Sequence, residues 1–339
     1  MVTKNIRYSL LLLLCVITIN ACNNSAVEDA IDDGKELIDG PERKTIDTSR
    51  LGMNAFVNDS RFGGISGQFN EVHGTLGLSF VRVLFNWNDQ VQPSASSAPN
   101  LSFYDAIVNA LPAGVDALVV LNGVPSWVEA SDSRNTFVEQ YVRKIAQRYR
   151  NNGRIIGYEI WNEPNMASDN ENQLLGLVDS PENYVDLLAK AHSVIKSISP
   201  GKLVVNAATT AINQNFPESL DYNQRMVDAG AENFLDRYNA HYYGRQFENL
   251  VRNGGVADFL NGRSAPVWIT ESGAQGFDKQ LAYGEQVWPY LLEKVPSIQR
   301  IYVYQFTEAT NPQQTYGLRN LSKDFPVSDL YVSLRDRAN

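Results

Sequence analysis

Gly157-Tyr-Glu-Ile-Trp-Asn-Glu-Pro-Asn165 is a short apolar and aromatic run closed by a carboxylate and a turn signal, and Val267-Trp-Ile-Thr-Glu-Ser-Gly273 repeats the design further along the chain. Runs of this kind, rich in β-branched and aromatic residues, read as parallel strands buried on both faces. Glu163 and Glu271 therefore stand at carboxyl ends of strands. In a (β/α)8 barrel, that end is the face where groups from several strands converge. Two carboxylates meeting there suit cleavage of a glycosidic bond. Either Glu alone reads equally well as an ordinary helix-start or loop carboxylate; the ordered pair weighs against coincidence.

Working outward, further short apolar runs occur at Leu51–Phe56, Ser79–Phe85, Ala117–Leu121, Leu203–Ala207, Arg237–His241 and Arg300–Phe306, and with Ile155–Trp161 and Pro266–Glu271 they make eight candidate strands. Helical spacing separates them, most clearly in Tyr184, Leu187, Leu188, Ala191, Val194, Ile195 and Ile198, behind a Ser180 cap and Pro181. A second helix carries Phe137, Tyr141, Ile145 and Tyr149, with Arg143, Lys144, Arg148 and Arg150 on a solvated face. Strand then helix, repeated, implies a parallel sheet. No Gly-rich phosphate fingerprint follows the first strand, so a closed (β/α)8 TIM barrel in a single domain is expected rather than an open doubly wound sheet.

The ends of the chain read differently. Lys4 and Arg7 precede the apolar stretch Tyr8–Ile19, and Asn20-Ala21-Cys22 follows, the pattern of a secretory signal too short to span a bilayer. Ile19-Asn-Ala-Cys22 resembles a bacterial lipobox, which implies lipidation at Cys22 and a protein held on a membrane at the periplasm or cell surface. Residues 1–22 are thus expected as a lipoprotein-type signal peptide, 23–49 as an acidic flexible linker, and 50–339 as the barrel. Loss of Lys4 and Arg7, two positive charges, takes the formal charge from -9 to -11, which argues against nucleic acid as a partner. Of the two cysteines, Cys15 leaves with the signal, so no internal disulfide is available.

With the strands placed, the motifs resemble those of glycoside hydrolase clan A, the retaining (β/α)8 glycosidases. Phe80-Val-Arg-Val-Leu-Phe-Asn-Trp87 and Gly123-Val-Pro-Ser-Trp127 are most similar to family 39 and small cellulase-like members. The resemblance implies Glu163 as acid/base on strand four and Glu271 as nucleophile on strand seven. It also implies Arg82, at the end of strand two, as support for the nucleophile, Asn162 as the partner of the sugar 2-hydroxyl, Tyr243 as the phenol bonding Glu271, and His241 as a substrate or network residue. His73 and His192 are expected to be structural. Where many clan members carry a strand-three histidine, this chain has Asn122, expected to meet a sugar hydroxyl differently. Where strand eight often ends in Trp, Phe306 or Tyr304 is expected as the platform. Trp87, Trp127, Trp161 and Trp268 are candidates to line a cleft, with at least one in the core, and Trp288 is expected to pack.

The expected activity is retaining hydrolysis of a β-linked polysaccharide or oligosaccharide by a monomer, without metal or organic cofactor. The competing reading is a non-catalytic carbohydrate-binding or scaffold lipoprotein that keeps the barrel. A metalloenzyme fits less well, since the three histidines show no ligand spacing, and no Gly-x-Ser-x-Gly elbow supports serine hydrolysis.

Overall fold

The computed structural model describes residues 40–56, 64–320 and 326–338. The signal segment, Cys22 and most of the acidic linker lie outside the described residues. Among the described residues no helix is long and apolar enough to cross a membrane.

Eight parallel strands form the barrel: β1 (Leu51–Asn54), β2 (Phe80–Asn86), β3 (Asp116–Asn122), β4 (Ile155–Ile160), β5 (Leu203–Asn206), β6 (Tyr238–Tyr243), β7 (Val267–Gly273) and β8 (Ile298–Val303). Each pairs with its sequence neighbour from β1 to β5 and from β6 to β8, and β1 pairs with β8. These strands coincide with the expected runs, offset by a residue or a few at their ends. The β5–β6 seam has only a single bridge, Val205 with Arg237. Side chains stitch it instead: Asn206 Oδ1 accepts the Asn239 N–H at 2.9 Å, and Asn239 Nδ2 donates to the Asn206 carbonyl at 3.1 Å.

The strands are apolar on both faces because two cores need them. Leu118, Val205, Trp268 and Tyr302 form a cluster of their own, with Phe80, Ile156 and Leu203 packed against it, while the larger core packs the other strand faces against the helices. Gly52 gives Tyr302 its room, since a Cβ there would stand 2.4 Å from the ring.

Around the barrel run α1 (Ile65–Gly74), α2 (Ser102–Ala110), α3 (Arg143–Tyr149), α4 (Pro181–Ile198), α5 (Glu218–Asp228), α6 (Val256–Asn261), α7 (Gln280–Lys294) and α8 (Asp329–Ala338), with shorter turns between. A π-helical stretch, Phe137–Val142, leads into α3. This explains the unbroken four-residue spacing of Phe137, Tyr141, Ile145 and Tyr149, all buried. In an α-helix such spacing drifts by about 40° per step, and the wider π turn cancels part of the drift. Arg143 pairs with Glu139, and Arg148 reaches Asp105 on α2.

Two expectations are corrected. Ser180 stands at the start of α4, but its hydroxyl faces Glu182 Oε2 at 3.3 Å and caps no backbone N–H. Pro181, which has no N–H to satisfy, supplies the start signal there. Residues 43–49, expected as linker, pack on the barrel unit: Ile46 is buried, the Lys44 N–H donates to the Glu285 carbonyl, and Arg43 pairs with Glu285. One buried isoleucine within a polar stretch is too weak a periodic signal to mark this as structure. The compact unit starts at Arg43.

Candidate active site

Arg82 is the centre of the site. It lies within β2 rather than at its end, and alternation aims it into the barrel with 2% of its side chain exposed. A guanidinium buried this deeply must spend every donor. Nε and Nη2 each donate to Glu159 at 2.8 Å, Nη2 also donates to Asn162 Oδ1 at 2.9 Å, and Nη1 donates to Asn54 Oδ1 at 2.9 Å and Glu271 Oε1 at 2.6 Å. All five N–H groups are used. Burial pulls its pKa down, but the Glu159 and Glu271 charges win and raise it.

Glu271, 7% exposed, lies inside β7 and accepts from Arg82 through Oε1 and from the Tyr243 hydroxyl through Oε2 at 2.8 Å. Burial pushes its carboxyl pKa up; the His241 and Arg82 charges and the Tyr243 hydrogen bond outweigh it and hold the pKa below the usual value. Glu271 is therefore ionised at neutral pH.

Glu163 reaches the barrel mouth by a turn beyond β4. Trp161 (φ 76°) and Glu163 (φ 43°) both adopt left-handed backbone, a conformation that costs about 1–3 kcal/mol per residue and persists only where the surroundings hold it. They do so through several bonds: the Trp161 indole donates to Asn172 Oδ1 at 2.6 Å, Asn172 Nδ2 donates to the Glu163 carbonyl at 2.9 Å, and the Asn162 N–H donates to Asn122 Oδ1 at 3.1 Å.

His241, fully buried on β6, stands between the two carboxylates, with Nδ1 3.1 Å from Glu163 Oε1 and Nε2 3.7 Å from Glu271 Oε1. Its burial disfavours the imidazolium, but the Glu271 and Glu163 charges prevail over that and over Arg82, raising its pKa. A carboxylate oxygen of each Glu and a ring nitrogen of His241 all lie within 4.8 Å of one another. The donor types suit a metal ion, yet the Arg82 guanidinium already sits on the same Glu271 oxygen, and a fixed cation there opposes a divalent one. The arrangement fits a hydrogen-bonded carboxylate pair better than a metal centre.

The aromatic candidates divide. Trp87 is fully buried, stacked on Tyr141 at 5.4 Å with its indole N–H bonded to Gln92, so it is core and offers no face to a sugar. Phe306 is also fully buried and is no platform. Its backbone is held between β1 and residue 319: the Phe306 N–H donates to the Asn54 carbonyl, and the Phe306 carbonyl accepts the Arg319 N–H. Trp161, Trp268 and Trp288 are core as well. Trp127 remains half-buried, donating to the Gln92 carbonyl. Tyr304 instead stands at the mouth, 5.9 Å edge-on to Tyr243, and Tyr316 closes the triangle at 5.5 Å from Tyr243 and 5.7 Å from Tyr304.

Glu159 escaped the sequence reading, as did Asn54 and Asn239. Glu159 is fully buried and also accepts from Asn239 Nδ2 at 3.0 Å. A signal existed: a lone carboxylate inside the run Gly157–Trp161 has to find a buried partner.

The family model for cellulase, glycosyl hydrolase family 5, matches residues 44–303. No curated protein matches the chain. Among solved structures, a family 39 glycoside hydrolase from Bacteroides cellulosilyticus WH2 is similar with a TM-score of 0.60 at 18% identity, over 87% of this chain and 65% of that one. A monomeric β-xylosidase from Caulobacter crescentus CB15 follows at 0.58 and 16%, over 87% and 69%. An exo-β-1,4-mannosidase from Opitutaceae bacterium strain TAV5 gives 0.59 and 14%, over 88% and 61%. At such identities these structures speak for the barrel alone, and the chain spans only about two thirds of their length.

Proposed function

We propose, from the premise that the chain belongs to the cellulase family of glycosyl hydrolases, family 5, that it cleaves β-glycosidic bonds of a polysaccharide or oligosaccharide with retention. The observation that carries this reading is the carboxylate pair: Glu271 and Glu163 bring oxygens within 4.8 Å of each other. That suits the roughly 5–5.5 Å between carboxyl groups of a retaining site, not the roughly 6.5–9.5 Å that leaves room for water in an inverting one.

In the proposed first step the Glu271 carboxylate attacks the anomeric carbon as Glu163 gives its proton to the departing glycosidic oxygen, leaving a glycosyl ester on Glu271. In the second, Glu163 takes a proton from water, whose oxygen attacks the same carbon and frees Glu271. Asn162, locked by Arg82 and Asn122, is the proposed partner of the sugar 2-hydroxyl. Tyr243 and Arg82 keep the nucleophile ionised and aimed. His241 orients Glu163 through its Nδ1.

Export and anchoring through Cys22 rest on the lipobox-like sequence alone and are part of the same proposal, testable by metabolic labelling with a fatty acid in wild type and Cys22→Ser. The activity test uses the full chain beside Glu163→Gln and Glu271→Gln on neutral and acidic β-linked polysaccharides, with products followed by mass. Cleavage by wild type that falls by about 10³-fold or more in both variants supports the reading. Cleavage that survives in either variant overturns the assignment of roles, and binding without cleavage favours a lectin-like protein.

A further inference from the structure

Arg82 spends all five of its N–H groups, but two guanidiniums at the other end of the barrel do not. Arg237, just before β6, and Arg300, near the start of β8, lie at the amino ends of the strands, away from the mouth that holds the carboxylate pair. Both are half-buried. Their guanidinium carbons stand 5.8 Å and 4.9 Å from the centre of the Trp268 ring, and that of Arg300 also lies 3.3 Å from the centre of Phe80. Aromatic faces thus fix both cations in place.

The donors around that ring are unspent. Arg237 Nε, Arg300 Nε and Nη1, and the Trp268 indole Nε1 are buried and donate to no acceptor among the described residues. Arg237 Nη1 reaches only the Asp236 carbonyl, at 2.6 Å. No carboxylate answers the charge: Asp236 turns its own to Lys196 and the Val204 N–H, and Asp116, which starts β3 beside Phe80, pairs with neither arginine among the described residues. The Tyr302 hydroxyl beside Arg300 is kept neutral by burial and offsets nothing. A buried donor left without an acceptor costs about 1–3 kcal/mol, more when it is charged, and two like charges around one apolar cluster repel. Orphaned groups of this kind mark the place of a water or an ion.

From this geometry we infer that the amino end of the barrel binds a small inorganic oxyanion, phosphate or sulfate, between Arg237 and Arg300. Its oxygens accept from the unspent N–H groups, the forked contact that guanidinium makes with such ions, and its charge offsets both cations. Water in the same place would satisfy the donors but not the charge. The site stands apart from the glycosidase reading. An ion that binds the closed barrel and not the unfolded chain stabilises the fold by mass action, and takes no part in turnover at the opposite end of the strands.

The test measures binding and needs no substrate. The full chain is titrated calorimetrically with sodium phosphate and with sodium sulfate, against sodium chloride at equal ionic strength, beside Arg237→Gln and Arg300→Gln, and each protein is followed through thermal unfolding. The expected result is saturable binding of an oxyanion, a melting temperature that rises with the oxyanion and not with chloride, and affinity weakened by about tenfold or more in each variant, the loss that follows from removing one charge-assisted hydrogen bond. No saturable binding of either ion, an equal rise in chloride, or unchanged affinity in both folded variants overturns the inference. If a glutamine variant does not fold, wild-type crystals soaked in selenate decide: an anomalous peak between the two guanidiniums is expected, and water alone at that place overturns the site.

Discussion

Arg82 is a single residue on which two buried acids depend. Glu159 and Glu271 both take its N–H groups, so Arg82→Met strands two carboxylates out of water. The expected cost is about 3–5 kcal/mol, read as a lower urea midpoint with an unchanged m-value, and most of it should return when Glu159→Gln is added. A second expectation concerns Tyr243, whose hydroxyl helps hold the Glu271 pKa down. Tyr243→Phe should lower kcat/KM by roughly 10- to 100-fold and move the acid limb of the pH–rate profile to higher pH. An unmoved limb would reduce Tyr243 to packing. Arg82, Glu271 and Tyr243 could be singled out in the sequence because each sits in a short strand motif that resembles a known family's. Glu159 could not, since its role exists through partners on β2, β6 and β7, residues far from it along the chain.

At the scale of elements, the strands were readable because β-branched runs between turn signals have few other ways to be buried. The seam was not. Periodicity assigned β5 and β6 correctly as neighbours in chain order, yet their backbones share only one bridge, and the closure falls to Asn206 and Asn239. Asn239→Leu removes the amide that donates to Glu159 and to the Asn206 carbonyl and that accepts the Thr270 N–H, leaving only the backbone N–H of residue 239 on Asn206 Oδ1. It should cost roughly 2–4 kcal/mol, the penalty for buried polar groups left unpaired. Hydrogen exchange should show faster opening at residues 204–206 and 238–240 than elsewhere in the barrel. Uniform exchange across the strands would count against a weak seam. The turn after β4 was also beyond a reading of spacing: Trp161 resembles a cleft aromatic until its left-handed backbone and its bond to Asn172 show it as the peg that sets Glu163.

For the whole molecule, the buried charges around Arg82 also govern how stability follows pH. The His241 pKa is raised above its ordinary 6.5, so the stability this histidine contributes is fully present below about pH 6.5 and is lost as pH rises through its folded value. The Glu271 pKa is lowered from 4.5, so its contribution is present above that value and is lost as pH falls through the folded one. Urea midpoints across pH 5–9 should therefore show the gap between wild type and His241→Gln widest at the acid end and narrowing above pH 6.5. A gap constant with pH would mean that His241 stays neutral throughout.

The amino-acid sequence by itself determined the repeated strand–helix order, the barrel it closes into, and the two strands, β4 and β7, that lead to or carry Glu163 and Glu271, because burial imposes a period that local residue choice must obey. Only the tertiary structure decided which aromatic rings face the mouth and which carboxylates share Arg82. Trp87 and Phe306 went to the core while Tyr304 and Tyr316 stayed half-buried around Tyr243. A side chain's chemistry is local, but whether water, a neighbour or a ligand covers it depends on strands brought together from distant parts of the chain.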